Sequence, residues 1–197
     1  VRVLNIRHWG SWWNVRLAVL LAILAVLAPV LLGPLFTTPQ LNAVGVVVQG
    51  PSAILSGLVG AFAVTLLLKE PVTVLPWVGP RDIRIWRMLR VALLMASIVV
   101  AMVLLGGGQA SGPVLVCLLS LSGEALLAAA VLWEEIAWAL PVIHAGMTLT
   151  FGTDVFGTPL SWAWILQREP TMGHVAFSTV LFAIGLLTWA RRRPRVH

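Results

Sequence analysis

Long apolar stretches interrupted by clusters of arginine dominate this chain, and their alternation decides what it can fold into. Of 13 lysines and arginines, all but Arg168 fall into three groups: Arg2, Arg7 and Arg16; Lys69, Arg81, Arg84, Arg87 and Arg90; and Arg191, Arg192, Arg193 and Arg195. A helix needs about 20 mostly apolar residues to cross the hydrocarbon core of a bilayer. The sequence between the first and second groups is long enough for two crossings, and that between the second and third for four. An even number returns the chain to the same side each time, and the bias of Lys and Arg marks that side as cytoplasmic. The expectation is an all-α integral membrane protein, a single transmembrane domain over 1–197. It would have six transmembrane helices over 17–190, both termini cytoplasmic, an interfacial helix over 1–16 and a basic tail over 191–197.

Composition agrees. Hydrophobic residues make up 59% of the chain and charged residues 10%, with a mean hydropathy of +0.97, whereas a soluble domain carries roughly 25% charged residues. The net charge of +6 would point to nucleic acid in a soluble protein. Here the basic residues border apolar spans and suit anionic lipid headgroups, so nucleic acid is excluded as a partner. The single cysteine, Cys117, allows neither a disulfide framework nor a cysteine metal site.

The ruler places spans at about Leu17 to Phe36, Ala43 to Leu68, Val91 to Leu105, Pro113 to Leu132, Ile136 to Phe151 and Val175 to Trp189. The first runs past signal-peptide length without a small-residue cleavage site and is read as a retained span. All ten tryptophans fall at or beyond span ends, as indole's preference for the interface requires. Trp9, Trp12, Trp13 and Arg16 follow helical spacing, which predicts a short interfacial helix. Between the second and third spans, Lys69 to Arg90 forms a cytoplasmic loop punctuated by Pro71, Pro76 and Pro80. Its last ten residues put Ile85, Trp86 and Leu89 on one side of a helical wheel and Arg81, Arg84, Arg87 and Arg90 on the other. Asp82 lies in the first turn, where a helix N-terminus favours an anion. The segment from Gly152 to Gly173 is expected on the outer side, with Leu160 to Leu166 lying in or dipping into the outer leaflet.

Few residues could carry chemistry. Glu124 lies near the middle of the fourth span, where a carboxylate costs a few kcal/mol and must face protein or water. It is read either as a functional group or as a protonated acid bonded to a neighbouring helix. Ser52, Ser56 and Gly60 recur every four residues, a spacing for close helix packing, with Gln49 beside them as the alternative lining of a substrate path. Ser120-Leu121-Ser122-Gly123 approximates the GxSG of rhomboid proteases, and His144 lies one helix later, so an intramembrane serine protease is weighed. His144 and His174 fall at opposite depths, which excludes a two-helix bis-histidine haem site under this topology. No G-x-x-x-x-G-K-[ST] loop occurs, so the chain is not itself a P-loop ATPase.

Two stretches carry a resemblance. Glu70-Pro71-Val72-Thr73-Val74-Leu75-Pro76-Trp77-Val78-Gly79-Pro80-Arg81 stands where the membrane subunits of ABC-2 type ABC transporters carry an acidic residue, a Thr-x-x-Leu-like run and a proline followed by basic residues. The chain also closes, as they do, with an outer segment, Thr158-Pro159-Leu160-Ser161-Trp162-Ala163-Trp164, and a last span. The chain therefore resembles an ABC-2 permease. That resemblance implies a cytoplasmic P-loop ATPase subunit as partner, a second membrane subunit in a homo- or heterodimer, and no cofactor in this chain, ATP and Mg being held by the ATPase. It further implies an ATPase-coupling interface of Glu70, Thr73, Pro76, Arg81, Arg84 and Arg87, and a connecting helix bearing Trp9, Trp12 and Trp13. Gln49, Glu124 and His144 are the candidates for the translocation path. The expected function is export of an amphiphilic antibiotic, peptide or lipid across a bacterial cytoplasmic membrane, with a non-transporting scaffold subunit as the chief alternative and the protease third.

Overall fold

A computed structural model describes residues 14–27, 38–41, 47–50, 53–68, 80–105, 111–167 and 169–192. The elements in chain order are α1 (Asn14–Leu27), β1 (Thr38–Leu41), β2 (Val47–Gly50), α2 (Ala53–Leu68), α3 (Pro80–Leu105), α4 (Ser111–Val131), α5 (Ala139–Phe151) and α6 (Met172–Arg191). Short 3-10 turns, Glu134–Ile136 and Trp164–Leu166, precede and follow α5. Among the described residues three helices, α3, α4 and α6, are long and apolar enough to cross a membrane.

Helix α4 is the centre. Of its apolar stretch 72% is buried among the other elements, against 17% for α6. It lies between α2 and α6, and glycines set both distances. A Cβ on Gly57 of α2 would stand 2.8 Å from the Cβ of Cys117, and one on Gly185 of α6 would stand 2.5 Å from the carbonyl oxygen of Gly123. Helices in lipid gain from such close approach, because burial against another apolar surface gives little advantage over the lipid tails. The same logic orders α1, which turns Ala18, Ala22, Ala25 and Val26 inward and leaves Leu20, Ile23 and Leu24 exposed. Large apolar residues outside and small ones inside is the arrangement a bilayer favours. The inward face of α1 meets α3 along an apolar groove that includes Ala22, Val26, Leu94 and Ile98.

At one end of the bundle, arginines bind the last carbonyls of three helices. Arg90 donates to Leu67 of α2 (2.8 Å), Arg87 donates to Arg192 just beyond α6 (2.6 Å), and Arg192 donates to Ala129 of α4 and to Leu132 (2.9 Å). A helix leaves its last four carbonyls unpaired and carries partial negative charge there, so guanidinium groups satisfy both needs.

Several expectations change. The architecture is helical as expected, with one short hairpin added among the described residues: β1 and β2 pair antiparallel, with Pro39 opposite Gln49 and Leu41 opposite Val47. The β-branched run Val46-Val47-Val48 favours a strand, and Gly50-Pro51 disfavours continuing a helix through it. The second span thus contracts from 43–68 to an α2 of 16 residues. The fifth contracts to the 13 residues of α5, because the chain leaves α4 through Trp133 and a 3-10 turn. Conversely, α3 runs unbroken for 26 residues, joining the amphipathic arginine segment to the apolar stretch in one rod. Helix α1 already includes Asn14 and Arg16, with no break at 16/17. Trp189, expected at an interface, is fully buried beneath the guanidinium of Arg87, 5.5 Å from its ring centroid.

Candidate functional site at mid-bundle

Glu124 and His144 meet. Glu124 lies seven residues before the end of α4, roughly 10 Å along its axis. His144 occupies the middle of the short α5, which faces α4. Nδ1 of His144 and Oε1 of Glu124 are 2.6 Å apart, with the side chains only 16% and 10% exposed. A separation that short marks a strong hydrogen bond between the imidazole and the carboxyl group. The other carboxyl oxygen, Oε2, is buried and has no hydrogen-bond partner among the described residues. Leaving such an atom unpaired costs about 1–3 kcal/mol.

Aromatic rings line the pair. The ring of Trp164 lies 4.8 Å from that of His144, and Phe177 of α6 meets Trp164 edge-on at 5.0 Å. Trp164 belongs to the segment expected in the outer leaflet, yet its Nε1 donates to Ser120, in the middle of α4 (3.0 Å). Ser120 in turn shares a hydrogen bond with Ser178 of α6 (2.8 Å). Ala163, Ile165 and Leu166 are buried, and the carbonyl of Ile165 accepts from the thiol of Cys117 (3.1 Å). The segment folds onto the bundle beside the C-terminal end of α5, where Gly152 meets Ala163 and Leu166. Its backbone groups pair mostly within the segment and with Gly152, and α4 adds the Cys117 thiol.

Thr171 starts α6 with reciprocal bonds: its hydroxyl accepts from the His174 amide and its amide donates to the imidazole (3.2 Å). This places Phe177 and Ser178 one turn further along. Asp154 organises the loop after α5, accepting from the amides of Phe156 (2.9 Å) and Thr158 (2.8 Å) and from the Thr158 hydroxyl (2.5 Å). The Thr158 hydroxyl and amide, with the Phe156 and Gly157 amides, hold its carboxyl below the usual aspartate value.

The other sequence-derived candidates are dispersed. Arg84 is exposed at the start of α3, whereas Arg87 is 4% exposed and fully engaged with Arg192 and Trp189. Arg81 lies in the first turn of α3, but its side chain is outside the described residues, as is that of Gln49 in β2. Glu70, Thr73, Pro76, Trp9, Trp12 and Trp13 lie wholly outside them. Ser122 is buried without a partner and His144 turns to Glu124, so the serine–histidine contact a protease needs is not formed. In the small-residue stripe, Ser56 is buried and Gly60 meets Leu118, so this face of α2 packs on α4. Ser178, Trp164 and the role of Ser120 escaped the sequence reading. Hydroxyls within apolar spans were the available signal.

Among the described residues no group of three or more His, Cys, Asp or Glu side chains could hold a metal ion. No known family model matches the chain, and no curated protein or solved structure matches it.

Proposed function

We propose that the chain is the membrane-spanning subunit of an ATP-driven ABC-2 type transporter. It would lie in a bacterial cytoplasmic membrane as a multi-pass protein, paired with a second membrane subunit and a cytoplasmic P-loop ATPase. Its cargo is an amphiphile moved outward.

The observation that supports this reading best is the continuity of α3. Its amphipathic first turns pass without a break into the apolar stretch, and Arg87 and Arg90 tie that rod to the ends of α6 and α2. A push delivered near Arg84 therefore moves three helices together. Such a rod serves a motor docked at the arginine-bearing end. With Arg87 and Arg90 engaged internally, the coupling surface narrows to Arg84 and its neighbours toward Arg81 and the preceding loop.

Purification of the intact complex from native membranes in mild detergent tests the proposal. A P-loop ATPase should accompany the chain in fixed stoichiometry and hydrolyse ATP. Arg84→Glu should lower the cargo-stimulated component about tenfold, the size of an ordinary coupling energy, without loss of the folded protein. An absent ATPase, or stimulation indifferent to the charge at Arg84, sinks the reading and leaves a scaffold subunit in its place.

A further inference from the structure

Glu124 has an acceptor with nothing to accept from. Its side chain is nine-tenths buried, Oε1 is committed to His144, and Oε2 has no donor among the described residues. Among the described residues no arginine or lysine is seen to supply one: α2 and α5 contain none, and Arg191 stands at the last residue of α6. The described guanidinium contacts of Arg87, Arg90 and Arg192 all lie at the end of the bundle. The groups that α4, α5, α6 and the Trp164 turn bring toward mid-bundle are Cys117, Ser120, Ser122, Thr148, Ser178 and the aromatic rings, none of them charged. Beside the pair stand His144, Trp164 and Phe177, whose π faces attract cations. Phe177 is 51% exposed, so this aromatic wall opens on the outer surface of the bundle.

We propose that the Glu124–His144 pair is a binding site for the protonated primary amine of an amphiphile. The inference rests on the reading of the chain as a carrier of amphiphiles and names the head group of its cargo. An ammonium group donates to Oε2 and lies against the Trp164 ring, which is anchored to α4 by the single Ser120 bond. The apolar tail remains on the lipid-facing side by Phe177.

An ammonium set against the Glu124 carboxylate supplies both a donor for Oε2 and a compensating charge in a low-dielectric interior, whereas an alcohol of the same chain length brings no charge. The amine head group is therefore the feature the site selects.

The test uses the full chain in lipid nanodiscs, with no ATPase present, and tritiated dodecylamine as probe. Binding should exceed that of empty discs, and unlabelled dodecanol should not compete. Glu124→Gln should weaken binding at least about tenfold, and Glu124→Asp should weaken it less. If the Gln variant does not fold, carbodiimide coupling of dodecylamine to the wild type decides instead: the amide should form at Glu124, and excess dodecanol should not suppress it. Equal binding to the folded Gln variant, absence of coupling at Glu124, or displacement by dodecanol overturns the proposal. Because no nucleotide is involved, a negative result here leaves the ATPase result standing, and an absent ATPase leaves this one standing.

Discussion

The two flanks of α4 close in opposite ways. Toward α6 the closure is made of backbone: Gly123 and Gly185 let the helices touch, and Ser120 and Ser178 join their hydroxyls. Toward α5 it is made of one ionisable pair with a spare acceptor beside it. The first seam depends on shape and one uncharged hydrogen bond. The second depends on a polar contact between side chains, so it is the flank that can change without remaking the core.

The sharpest way to break this contrast is at the glycine seam. Gly185→Leu should prevent assembly of the folded bundle. Gly185→Ala should lower stability by about 2–3 kcal/mol in detergent unfolding, because the new Cβ meets the Gly123 carbonyl, which helix α4 holds in place. Next in size, Arg87→Ala should cost about 2 kcal/mol by orphaning the Arg192 carbonyl and uncovering Trp189, whereas Arg84→Ala should change stability by less than about 0.5 kcal/mol. At the α5 seam, Glu124→Gln keeps a carbonyl for the His144 N–H and should change stability by no more than about 1 kcal/mol, in the same unfolding assay. A large loss there would make the pair a structural clamp and erase the difference between the flanks.

The smallest effect lies in the loop after α5. The folded-state value of Asp154 is lowered, so its contribution is fully present above the ordinary value of 3.8 and is lost as pH falls through the lower folded value. Hydrogen exchange at the Phe156 and Thr158 amides should therefore stay protected, after correction for intrinsic rate, until the medium is strongly acid, and Asp154→Asn should remove that pH response.

Apolar length alone made α3, α4 and α6 legible, because a run of that composition in lipid has little choice but helix. The same measure overran at α2 and α5. Val46-Val47-Val48 is as hydrophobic in a strand as in a helix, and hydropathy carries no information on backbone geometry. Glu124 and His144 were each visible as polar residues in apolar surroundings. Their pairing was not, since it depends on where α5 starts, and a three-residue shift turns a helix by most of a revolution. Trp164 was placed beyond a span end by the interfacial preference of indole, but its contact was not legible: the N–H seeks an acceptor, and Ser120 in the middle of α4 supplied one.

The brevity of α5 also bears on the surrounding bilayer. Thirteen residues rise about 20 Å, against a hydrocarbon thickness of about 30 Å, and its Ile143, Met147 and Phe151 face outward. The three long helices match an ordinary bilayer and this one does not, so the belt of apolar surface around the protein is uneven in height. In a bilayer, lipids on the α5 side would have to thin or tilt to meet it. Short-chain lipids should gather there, and the protein carries its own local preference for membrane thickness.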